Sequence, residues 1–179
     1  SRGGVQSALL AKKGLTAPAT IFEGKRGVVQ AFWGPGANPQ NIINGLGKDD
    51  SQMMHNIFKF YASNISIHTS LDALNMVMAQ HRINHRDVRE INVGVNNNFA
   101  HYTTVTRPTD VIGAHFSLAF GFGLRLVTGE TDDAHQYFED YLNPQKWVDP
   151  DILRIVDIVK PYVLPEAIND LTHLAKVQV

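Results

Sequence analysis

Cysteine is missing altogether from the 179 residues. That excludes disulfide staples and thiolate metal sites, so burial and hydrogen bonding must hold the fold. A charge excess of either sign is missing too, because 16 lysines and arginines stand against 17 aspartates and glutamates for a net charge of −1. Nothing in that balance provides for a nucleic-acid backbone, and no nucleic-acid partner is expected. No apolar run is long enough to cross a bilayer and no secretory leader pattern stands at Ser1, so the expectations are no membrane partner and a cytoplasmic location. Internal repeats and low-complexity tracts are absent. What is present is 44% hydrophobic residues, enough to bury one sizeable core, and a single domain over 1–179 is expected.

Along the chain, helical spacing predicts a helix from Ser1 to Lys13, with Val5, Ala8, Leu9 and Lys12 on one side and Gly14 as a left-handed cap. Pro18 to Gly24 reads as a short helix, Gly27 to Trp33 as an apolar strand ended by Gly34-Pro35-Gly36, and Gln40 to Leu46 as another short helix. Gly45-Leu46-Gly47-Lys48 lacks the first glycine and the hydroxyl residue of a phosphate loop, and so reads as a turn. His81 and His85 have the spacing of a helical metal pair, but Arg82 and Arg86 repel a cation there and no metal site is expected. Ile91, Val93 and Val95 alternate with polar or small residues and predict a half-buried strand, with Phe99 to Val105 as a further extended segment. Val111 to Thr128 reads as one buried helix in which Gly121 and Gly123 admit a close neighbour. Asp132 to Leu142 is a short helix, Asp149-Pro150-Asp151 caps another, and Leu174 to Val179 alternates as a last strand.

The chemistry concentrates between Phe58 and Leu74. Phe58, Phe60 and Ala62 alternate with Lys59 and Tyr61, predicting a strand whose cation and phenol face away from the phenylalanines. From Ile67 the spacing becomes helical: Ile67, Leu71, Leu74 and Met78 form the buried stripe, and His68, Asp72 and Asn75 lie one above another beside it. A cation, a phenol, an amide at Asn64 and an imidazole are thereby gathered at one junction.

These residues resemble the MmgE/PrpD family, which includes 2-methylcitrate dehydratases, cis-aconitate decarboxylases and iminodisuccinate epimerases. The matching pattern is Lys59, Tyr61, His68, Asp72 and Ala73, joined by Ser1 to Gly14, by Pro18 to Gly24, and by Arg107-Pro108 ahead of Ala114, Phe116, Ser117 and Phe120. Ala62 stands where many members have proline, and Asn64 where they have cysteine or histidine. The resemblance implies an α+β fold with a small antiparallel sheet of about four strands and packed helices. It also implies that the chain is the lid half of a two-domain protein, cut at both ends, whose all-helical N-terminal domain is a missing partner and whose intact form is a homodimer.

The activity implied is cofactor-independent lyase or isomerase chemistry on a small di- or tricarboxylic acid, by removal of a proton next to a carboxylate. Such chemistry needs a base, an acid and cations. By the resemblance, Lys59 and His68 are the catalytic candidates, with Arg107, Tyr61 and Asn64 binding substrate and Asp72 supporting His68. No cofactor and no metal are expected. The alternative from another class is a non-catalytic interaction module made from this lid.

Overall fold

In a computed structural model, the residues described are 2–48, 52–97, 99, 105–129, 138–166 and 176–179. The chain divides into two compact units, Ser1–Asn56 and Ile57–Val179.

The described residues of the first unit hold three helices, α1 (Arg2–Lys12), α2 (Val28–Trp33) and α3 (Gln40–Ile43), and a 3-10 turn at Gln52–His55. Gly14 closes α1 as expected: at φ +94° its amide bonds Ala11 and the next amide bonds Leu10, a left-handed cap. Two expectations are corrected here. Pro18 to Gly24 is a series of turns and not a helix, and Gly27 to Trp33 is helical and not a strand. The second reversal has a local cause, because the Val28 and Val29 amides bond back to the Ile21 and Phe22 carbonyls and the Ala31 amide to Gly27. Bonds so close in sequence coil the backbone despite the β-branched pair. The helix expected over Gln40 to Leu46 stops at Ile43, where Asn44 turns extended.

The second unit begins with an irregular segment, 57–64, leading into α4 (Ile65–Gln80). Phe58 to Ala62 forms no strand, and the expected facing is not kept, because Lys59 is exposed together with both phenylalanines and burial begins at Tyr61. Phe58 and Phe60 are 81% and 66% exposed, while Tyr61 is 6% exposed. The phenol is drawn inward by polar partners on α4, described below. The Asn64 side chain accepts the Ser66 amide at 3.0 Å and starts α4, whose Ile67, Leu71 and Leu74 are wholly buried. Each such side chain contributes about 1.5–3 kcal/mol by leaving water.

After a 3-10 turn (His85–Asp87) comes β1 (Ile91–Val95), the central strand of a three-stranded sheet among the described residues. β2 (Val159–Val163) runs parallel to it, pairing Ile91 with Val159 and Val95 with Val163, and β3 (Lys176–Gln178) runs antiparallel, pairing Val93 with Val177. The α+β class stands, but the sheet is mixed rather than antiparallel. A parallel pair requires a crossover, and the helices between β1 and β2 supply it. The extended segment expected at Phe99 to Val105 lies almost wholly outside the described residues, as does much of the helix expected over Asp132 to Leu142.

The single helix expected from Val111 to Thr128 is two, α5 (Val111–Phe116) and α6 (Leu118–Thr128). Ser117 between them is extended; its hydroxyl accepts the Phe120 amide at 3.0 Å and donates to the Thr106 carbonyl at 2.9 Å. It therefore ends one helix and caps the next. Short α7 (Phe138–Leu142) and α8 (Pro144–Trp147) precede α9 (Pro150–Ile158), capped by Asp149 as expected. α9 packs against α6, and a methyl group on Gly123 would lie 2.8 Å from the Ile152 carbonyl oxygen. Only glycine admits that approach.

Candidate active site

The segment 59–64, the end of α5 and the start of α7 enclose a cleft of about 460 Å³, lined by Lys59, Tyr61, Ser63, Asn64, His115 and Phe138 among others. Three hydrogen bonds set its shape. Lys59 Nζ donates to the Ser63 carbonyl at 3.1 Å, curling the segment on itself. The Asn64 amide donates to the His115 carbonyl at 2.8 Å, joining the segment to α5. Tyr61 Oη donates to Asp72 Oδ1 at 2.5 Å, joining it to α4.

The phenol is the centre of a larger network. Asn75 Nδ2 donates to Tyr61 Oη at 2.9 Å, and Arg125 Nε donates to Asn75 Oδ1 at 2.5 Å. Burial raises the Tyr61 phenol above its ordinary value, and the hydrogen bond to Asp72 adds to the rise. Tyr61 therefore stays a neutral donor and pins the segment to α4, where Arg125 of α6 holds Asn75 in turn.

His68 lies behind the cleft wall, 7% exposed, with its ring edge-on to Tyr61 at 5.1 Å. Its Nε2 is buried without a hydrogen-bond partner among the described residues. The Ser63 carbonyl that holds Lys59 also faces the His68 ring, so the two candidates meet at one oxygen. Burial pushes His68 below the ordinary histidine value, the Ser63 carbonyl opposes the shift, and the Lys59 ammonium reinforces it. His115 is lowered in the same direction, by burial and then by Lys59.

Of the residues expected from the sequence, Lys59, Tyr61 and Asn64 line the cleft, and His68 and Asp72 stand behind it on α4. Asp72 takes its hydrogen bond from Tyr61, and only its charge is felt by His68. Arg107 is not on the cleft wall. It is exposed and forks onto Asp157 of α9, Nε to Oδ1 at 3.2 Å and Nη2 to Oδ2 at 2.6 Å. Neither His115 nor Arg125 was among the candidates drawn from the sequence, although at Arg125 a lone charge inside the most apolar helix was a signal for a buried polar partner. Among the described residues, no cluster of three histidines or acidic side chains is placed to hold a metal.

The two depressed imidazoles have a consequence for stability. Each binds fewer protons in the folded state than in the unfolded chain, so its full contribution is present above the ordinary histidine value of 6.5 and is lost as pH falls below it. The melting temperature is therefore expected to fall as pH is lowered from about 7.5 to about 5, and to fall less in a His68→Phe, His115→Phe double variant. A wild-type melting temperature that stays level across that window would show both rings to be ordinary solvated histidines.

Residues 61–173, more than half of the chain, match the MmgE/PrpD C-terminal domain. The matched span includes every site residue named above except Lys59, which lies two positions before it. No curated protein matches the chain.

Proposed function

This chain belongs to the MmgE/PrpD family, and from that premise we propose that it is the lid-like half of a cofactor-independent lyase or isomerase acting on a small di- or tricarboxylic acid. The observation that carries the proposal is the cleft: about 460 Å³, room for such an acid, with Lys59 the one charged group on its wall among the described residues. An ammonium flanked by imidazoles suits removal of a proton next to a carboxylate, because the charge that develops on the carboxylate is met by a cation already in place. Asn64 donates a neutral amide to the same wall. Arg107 takes part as a carboxylate clamp only by leaving Asp157, an exposed pair that costs about 0–1 kcal/mol to break.

The opposite wall is proposed to come from an all-helical domain. Ile57, Phe58 and Phe60 favour that reading, because they are exposed on the segment that bears Lys59 and a contiguous exposed apolar patch marks an interaction surface. The test is incubation of the protein carrying both domains with citrate, 2-methylcitrate, cis-aconitate and malate in deuterium oxide. Deuterium is expected at the carbon next to a carboxylate in at least one of them, and residues 1–179 alone are expected to give none. Absence of exchange in all four acids with the intact protein would overturn the reading.

A further inference from the structure

The cleft wall carries one basic group that was not among the candidates drawn from the sequence. Lys59 is a cation, the Tyr61 hydroxyl is committed to Asp72 and Asn75, and the Asn64 side chain accepts the Ser66 amide. An amide and a bonded phenol do not accept a proton from carbon near neutral pH. Among the described lining residues this leaves the imidazole of His115.

Its placement suits the task. His115 is the last residue but one of α5, and its carbonyl is tied to the Asn64 amide at 2.8 Å, which fixes its backbone relative to the segment bearing Lys59. The ring is held by Phe138 at 5.7 Å and Tyr141 at 5.4 Å between centroids. Nε2 is buried with no hydrogen-bond partner among the described residues, and the residue lines the cleft. Unlike His68, His115 is on the wall itself.

Resting on the lyase or isomerase reading, we propose that His115 is a catalytic residue that shares the cleft wall with Lys59 and takes the proton on its imidazole. In that step the C–H bond next to the carboxylate breaks and an N–H bond forms on the imidazole. The electron pair left on carbon spreads into the carboxylate, whose added charge is held by the Lys59 ammonium, and the imidazolium returns to neutral by releasing the proton to product or water. The charged or titratable groups around the ring are Lys59 and Tyr61 from the opposite segment and Tyr141 from α7. Burial and the Lys59 ammonium keep the imidazole in its neutral, basic form near neutral pH.

His115→Phe preserves the ring contacts and removes both nitrogens. In the intact protein it is expected to lower kcat by about a hundredfold with a modest change in KM, and to remove the acidic arm of the kcat/KM profile. A second readout does not need turnover: diethyl pyrocarbonate should modify His115, and citrate should slow that modification in wild type and not in Lys59→Met. If wild type is active and Lys59→Met is not, yet His115→Phe keeps wild-type kcat and pH profile, the proposal falls while the lyase reading stands. If wild type exchanges none of the acids and citrate leaves the modification rate unchanged, both fall.

Discussion

Lys59→Met is expected to lower kcat about a thousandfold, the upper range for loss of a placed group that stabilises developing charge. The size follows from how alone the ammonium is. No second cation lies on the cleft wall among the described residues, and both imidazoles near it are driven toward neutrality by burial and by Lys59 itself. Methionine keeps the unbranched apolar stem and removes only the charge and the bond to the Ser63 carbonyl. Because Lys59 is exposed, the melting temperature should change little. A second consequence has a definite sign: without the cation both histidines rise toward their ordinary value, so any acidic arm of the residual activity should move to higher pH. A Lys59→Met enzyme within about tenfold of wild type would mean that the transition-state charge is met by another group.

The main elements of the second unit were legible where burial and local capping agree. Ile67, Leu71 and Leu74 lie on one stripe, and Asn64 had only to cap it, so α4 was readable to within two residues. Ile91 to Val95 was readable because a central strand buries one face, and its inward residues are wholly or nearly covered. What misled was alternation whose partner is not another strand. Phe58 to Ala62 has strand periodicity, but Tyr61 is drawn inward by Asp72 and Asn75, which are 11 and 14 residues away. No local pattern marks such a pairing. β2 was missed because Pro161 interrupts it and the stripe of α9 runs on to Val159; a proline is tolerated there because β2 is an edge strand among the described residues, where an absent amide costs no ladder bond. Ser117 hid a helix break because serine inside an apolar run looks like a satisfied core residue until its hydroxyl is seen to cap Phe120.

For the candidate cleft, the sequence brought some of the lining residues together but not their arrangement. Lys59, Tyr61 and Asn64 do share a wall, yet the gathering depends on a curl from Lys59 to the Ser63 carbonyl rather than on a strand leading into a helix. Asp72 was placed one turn from His68 by helix geometry, and that spacing is correct. Its hydrogen bond nevertheless goes to a phenol outside the helix, because Tyr61 brings a donor directly to the carboxylate. His115 was out of reach of sequence reasoning because what recruits it is the tertiary bond from the Asn64 amide to its carbonyl, across 51 residues of chain.

His68→Gln in the intact protein is expected to lower kcat about a hundredfold with the fold retained, the scale of loss from small misplacement of a reacting group. The ring stands edge-on to Tyr61 and faces the Ser63 carbonyl that holds Lys59, so its removal frees that carbonyl and with it the support of the ammonium. A residue that acts by positioning Lys59 loses its effect once Lys59 is gone. The Lys59→Met, His68→Gln double variant should therefore be no slower than Lys59→Met alone, whereas independent roles would multiply. Asp72→Asn then separates the two histidines. The Asp72 charge raises His68, while the shift at His115 comes from burial and Lys59. With His115 as the proton acceptor, Asp72→Asn should leave the acidic arm of the pH profile where it is and cost less in rate than His68→Gln, since an asparagine oxygen still accepts from Tyr61. Movement of that arm to lower pH in Asp72→Asn would return the proton to His68, because loss of the neighbouring negative charge lowers only that imidazole. Loss of activity in His68→Gln in proportion to unfolded protein, with melting curves as the control, would leave it a structural histidine at the start of α4.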